Sequence, residues 1–244
     1  MIELGIFGVV TGFVSGFFGV GGGMVLIPML LFANYEMKQA VSISIMQMVF
    51  SSIFGSFLNS KRNKEILKDG LFLGLGGFIG GIFSGLIVSN VSGHFLQYLF
   101  LVIVILAIIR VTITPANHDK EQLLSSPRKL ITIGFFIGMI AMSIGVGGSV
   151  MLTPILAGYL HYNLKHASSL GLFFVMFSSV AGFLSLTFTG QMLFYEGAIV
   201  GIASLFGVYL GIYIKNKINI ASYKNLILVL YIVILISVLY KLLY

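Results

Sequence analysis

The sequence contains no cysteine. That excludes disulfides, iron–sulfur clusters and thiolate metal sites. Charge is nearly as scarce. Asp, Glu, Lys and Arg make up 9% of the 244 residues, where a soluble globular chain carries about 25%. Too few polar side chains exist to cover a water-facing surface. Histidine offers little more. His94, His118, His161 and His166 form no H-x-x-x-H or HExxH pair, so no metal site is expected. A cationic leader is also missing. The opening "MIELGIFGVV" has Glu3 as its first charge and does not read as a cleavable signal peptide.

What is present is apolar: 58% of the residues are hydrophobic and 30 are glycine. Uncharged runs of about 20 residues make this a helical membrane protein rather than a barrel. Glycine abundance fits closely packed membrane helices. The net charge of +7 fits basic cytoplasmic loops better than a nucleic-acid partner.

One stretch repeats. "GVGGGMVLIPML" (Gly19–Leu30) is echoed by "GVGGSVMLTPIL" (Gly145–Leu156), so Pro154 lies 126 residues after Pro28. With one inserted residue the echo continues at an offset of 127. Lys38-Gln39-Ala40 answers Lys165-His166-Ala167, Ser51-Ser52 answers Ser178-Ser179, and Asp69-Gly70 answers Glu196-Gly197. Two halves of one unit follow: an N-terminal repeat, 1–113, and a C-terminal repeat, 130–244. The polar stretch "TPANHDKEQLLSSPRK", 114–129, joins them as a cytoplasmic linker.

Each half reads as five segments: 2–18, 24–33, 38–60, 70–89 and 95–113, then 130–144, 150–160, 165–187, 197–214 and 224–243. The second of each set is too short to cross a core about 30 Å thick. The first two together form a broken, re-entrant helix unit, with Pro28 and Pro154 marking the helix-breaking segments. Three full crossings remain per half. An odd number forces the halves into opposite orientations. With loop 61–68 inside, all basic residues except Lys38 and Lys241 fall on the inner side. By the positive-inside rule the two halves are inverted and both termini lie outside. The fold class is therefore an all-α polytopic membrane protein of two inverted-topology repeats.

Inverted repeats with interrupted helices are the build of secondary transporters, whose sites lie where the broken segments meet. A helix start exposes unpaired backbone N–H groups and about half a positive charge. Residues without side chains let an anion approach that backbone. Taken alone, a glycine run reads as close packing; its recurrence within the whole frame favours a site. The expected cradle is Gly19, Gly21, Gly22, Gly23 and Met24 from one half, with Gly145, Gly147, Gly148, Ser149 and Val150 from the other. Ser42, Ser44, Gln47, Ser168 and Ser169 would complete it. Charged residues sit at the ends of the predicted crossings. An intramembrane carboxylate that would hold a cation is missing. The substrate is thus expected to be a small anion, with no cofactor and no catalytic set. A channel, a membrane enzyme and a non-transporting membrane subunit are the rival readings.

The paired motifs G-V-G-G-G-x(4)-P-x-L and G-V-G-G-S-x(4)-P-x-L resemble those of the TauE/SafE family of sulfite-exporter-like permeases. The basic loop after the third segment, and Ala40 and Ala167 opening a polar stretch, extend the likeness along the chain. Where many members carry Thr-Ser after that alanine, this sequence has Ile43-Ser44 and Leu170-Gly171. The resemblance implies transport of sulfite, thiosulfate or organosulfonates across a prokaryotic cell membrane. Another small anion, such as a carboxylate, is the alternative. The expected partners are that substrate and the lipid bilayer. A homo-oligomer is compatible with the sequence.

Overall fold

The computed structural model describes residues 1–60, 66–113, 126–159, 162, 164–218 and 220–243. Most of the basic loop 61–68 and of the linker 114–129 lies outside the described residues. All eleven elements among those described are α-helices: α1 (Ile2–Phe18), α2 (Gly23–Phe32), α3 (Met37–Ser60), α4 (Ile66–Ile82), α5 (Ser84–Asn90), α6 (Gly93–Ile113), α7 (Pro127–Ser143), α8 (Ser149–Tyr159), α9 (Leu164–Phe188), α10 (Phe194–Lys215) and α11 (Ile220–Leu243).

Six stretches are long and apolar enough to cross a membrane, three on either side of the linker. They are α3, the α4–α5 pair, α6, α9, α10 and α11. Helices α1, α2 and α8 are apolar but shorter. The α4–α5 pair, read from sequence as one segment, breaks its helix at Phe83.

The packing exchanges partners between the halves. Helix α1 of the first half packs along α10 of the second, and α7 of the second packs along α4 of the first. At the centre α3 meets α9. Small residues permit this closeness. A methyl added to Gly12 would overlap the Ser204 backbone, and one added to Gly80 would overlap Phe135. Along the α3–α9 seam the hydroxyls of Ser52 and Ser179, equivalent residues of the two halves, lie 3.4 Å apart. Near the ends, the Tyr162 hydroxyl donates to Asp69 at 2.5 Å. At the equivalent place in the other half, burial and then the carboxylates of Glu196 and Glu3 push the Tyr35 phenol above its usual pKa.

The lipid-facing shell is built from exposed apolar residues such as Phe57, Val102, Phe206 and Ile236. The interior differs. Ser42, Ser44, Gln47, Ser51, Ser52, Ser168, Ser178 and Ser179 are all fully buried on the two central helices. In a membrane protein water-facing polarity is replaced by polarity turned inward, because lipid cannot satisfy a hydroxyl or an amide.

Candidate functional site

The chain breaks where the glycines lie. Helix α1 ends at Gly19, left-handed at φ 71°, whose N–H closes back onto the Ser15 carbonyl. Gly21 and Gly22 follow at φ 78° and 82°, and α2 starts at Gly23. In the second half Gly145, Gly147 and Gly148 take φ 67°, 87° and 68° before α8 starts at Ser149. The same three places of the motif are left-handed in both halves. A side chain there would cost about 1–2 kcal/mol per residue, which explains why the glycines recur at those places.

The prolines do not end their helices. Helix α2 runs on through Pro28 to Phe32, and α8 extends from Ser149 through Pro154 to Tyr159. The interruption is made by left-handed glycine alone. Pro28 instead removes one N–H inside the short helix, leaving an upstream carbonyl without its usual donor.

The two breaks touch. A methyl on Gly23 would overlap the Gly145 carbonyl, and one on Gly147 would lie 3.1 Å from the Val20 carbonyl. Met48 and Val175, equivalent residues of α3 and α9, pack against both Gly21 and Gly147. The breaks therefore lie face to face between the central helices.

The backbone there carries unspent donors. Among the described residues, the N–H groups of Val20, Gly21, Gly22, Gly23 and Met24 find no acceptor. In the second break the same holds for Gly147, Gly148 and Val150, while the Ser149 N–H turns back to the Gly147 carbonyl at 2.8 Å. All these residues are buried. Buried backbone donors are almost always paired, so eight in one small region form a concentrated electropositive surface. Two helix starts add their partial positive charges to it.

Side chains continue the pattern. Gln47 is fully buried with neither Oε1 nor Nε2 partnered. Both atoms would lie 2.8 Å from a methyl on Gly22. Ser15, Ser149 and Thr153 also bury unpartnered hydroxyls. The Ser44 hydroxyl donates to the Gly145 carbonyl at 2.7 Å, which ties α3 to the second break.

Of the remaining serines, Ser168 borders the first break, where a methyl on Gly19 would overlap its hydroxyl, and Ser42 lies apart. Ser42 accepts the Leu193 N–H at 2.7 Å and so anchors the start of α10. Ser168 donates to the Phe18 carbonyl at 2.7 Å, at the end of α1. Its oxygen in turn lies 3.0 Å from Lys215 Nζ and 2.8 Å from the Tyr223 hydroxyl. Ser169 takes a second Lys215 bond at 3.2 Å. Lys215, read from sequence as part of a basic loop, closes α10 and is only 3% exposed. The sequence reading missed this buried cation. Its position at a helix end resembles the other loop lysines, and only its bonds to Ser168 and Ser169 of α9 show that it faces inward. Thr11, Ser15 and Thr153 were missed for a similar reason: hydroxyls on apolar helices carry no motif.

The family described as Sulfite exporter TauE/SafE matches residues 4–238 of the chain. A 46-residue stretch, 19% of this chain, is 54% identical to a "Probable membrane transporter protein" of Methanocaldococcus jannaschii, of which it spans 17%. A longer match, 23% identical over 191 residues, covers 75% of the chain and 72% of a "Probable membrane transporter protein" of Haemophilus influenzae. No solved structure matches the chain.

Proposed function

The chain belongs to the TauE/SafE family of membrane transporters, and on that premise we propose that it moves a small sulfur-containing anion across a prokaryotic cell membrane by alternating access. The observation that carries this reading is the facing pair of glycine breaks with their unpaired N–H groups. An anion seated between them would accept hydrogen bonds from Gly21–Met24 and from Gly147, Gly148 and Val150. Ser44 and Gln47 would add side-chain contacts. The positive helix starts would favour negative charge there.

The two halves, inserted in opposite orientations with both termini outside, would rock about this seat. The close contact between the breaks corresponds to a closed stage of that cycle, and opening toward either side would part Gly23 from Gly145 and Gly147 from Val20. Sulfite, thiosulfate and organosulfonates are the substrate class, with export the favoured direction. No residue set at the seat suggests chemistry on the substrate, which would leave as it entered.

Proteoliposome flux tests this. Purified protein should accumulate radiolabelled sulfite or an organosulfonate against its gradient, and the label should be recovered unmodified. Flux that only follows the gradient, with no saturation and no acceleration by substrate on the far side, would make the protein a channel. Movement of carboxylates but no sulfur anion would overturn the substrate class.

A further inference from the structure

The two breaks are alike in backbone and unlike in what faces them. Gly22 is met by the Gln47 amide and by the Thr11 carbonyl, the latter 2.9 Å from an added methyl. Gly148 is met instead by the Phe174 ring edge, Ile137 Cγ2 and Ala141 Cβ, at 2.5, 3.1 and 3.3 Å from the same built methyl. These are equivalent places in the repeat. Thr11 corresponds to Ile137 and Ser15 to Ala141 at an offset of 126, and Gln47 to Phe174 at 127. Of the first-half side chains it is Gln47 that meets Gly22, and Phe174 takes its place at Gly148; the Thr11 hydroxyl donates to the Phe7 carbonyl of its own helix at 2.7 Å.

The other edge differs in which residues carry the hydroxyls, not in whether they are there. On the other edge both breaks keep hydroxyls: Ser44 beside Gly23 in the first half, Ser149 and Thr153 beside Gly171 in the second. A symmetric inorganic oxyanion would have no use for one polar and one aromatic wall. Neither would a fold that merely packs, since Gln47 and Ser15 are buried with unpartnered polar atoms, an arrangement that costs stability unless something fills it.

We infer that the seat is bipolar, reading an oxyanion head at Gln47 and Gly22 and a short apolar tail at Phe174, Ile137 and Ala141. The substrate is then a small organic anion, held head toward the first half and tail toward the second. This rests on the anion-transport reading above. Within that reading it separates organic anions from inorganic ones.

The experiment is a binding series on the purified full chain, read by ligand-induced thermal stabilisation and by competition for flux in proteoliposomes. The probes are sulfite, thiosulfate, methanesulfonate and propanesulfonate. In the wild-type protein propanesulfonate should bind about tenfold more tightly than methanesulfonate, the gain of burying two further methylenes. Phe174→Ala should reduce that ratio to under about threefold. Phe174→Leu, which keeps an apolar wall and the fold, should retain most of it. Gln47→Leu should weaken all four anions together and leave the ratio intact. Equal affinity for methanesulfonate and propanesulfonate in wild type would overturn the bipolar seat while leaving anion transport standing. So would an unchanged ratio in Phe174→Ala. Failure of every probe to bind or compete would overturn the anion reading itself, and this inference with it.

Discussion

Replacing Gln47 by leucine should make the protein more stable and less active. The side chain is fully buried, and neither its amide nitrogen nor its oxygen has a partner. Leaving a buried polar group unmet costs about 1–3 kcal/mol per group. Leucine has a similar size and no polar atom. Two orphaned atoms therefore set the expected gain at about 2–4 kcal/mol, toward the lower part of the doubled range because leucine is branched where glutamine is not. Transport should fall at least about tenfold, the loss of one good hydrogen bond of about 1.4 kcal/mol or more to a charged substrate. The assay is denaturant unfolding in mixed micelles beside flux in proteoliposomes. A protein whose glutamine was already hydrogen-bonded and took no part in transport would lose stability on substitution and keep its transport. That outcome would refute the reasoning, because it would show that Gln47 is satisfied in the resting state and idle in the cycle.

Three further outcomes follow from the same geometry. Gly22→Ala and Gly148→Ala should each cost about 2–5 kcal/mol, combining left-handed strain with overpacking, and should stop transport in protein that still folds. Gly190 has φ 68° but nothing near an added methyl, so Gly190→Ala should show the strain of about 1–2 kcal/mol alone and near-normal flux; equal flux in all three would remove the seat from the breaks. Ser168→Ala removes the oxygen shared by Lys215 and Tyr223 and should lower stability by about 1–3 kcal/mol with substrate affinity unchanged; an affinity loss would place Ser168 in the seat instead. Cysteines introduced at Ser92 and Lys120, in a chain with no native cysteine, should label from opposite sides of the membrane; labelling from one side would rule out inverted halves.

Much of the architecture was legible because membrane helices announce themselves by length and hydropathy. The segment read as 2–18 is α1 to the residue, and 38–60 differs from α3 only by starting one residue late. The breaks were legible too, since only glycine tolerates six left-handed positions. What the sequence hid was direction. Ser42 and Ser168 both looked like substrate ligands, yet one holds the start of α10 and the other the end of α1. A serine on a helix fully surrounded by protein has a partner on whichever side packing provides, and periodicity does not say which. Lys215 was obscured in the same way, as its charge suggested a loop while α10 carries it inward beside Tyr223. Prolines misled differently: Pro28 looked like the breaker, but the chain has already turned before reaching it.

The meeting of Ser52 with Ser179 has a geometric meaning. When one repeat is superposed on the other by rotation, points off the axis change place and points on it do not. Equivalent atoms meet only where the relation that exchanges the two halves leaves a point in place, so this contact marks such a point. In the proposed transport cycle, a tether placed across the glycine breaks would hold the seat shut. The serine pair is therefore the origin from which the correspondence between α3 and α9 can be counted outward, residue by residue.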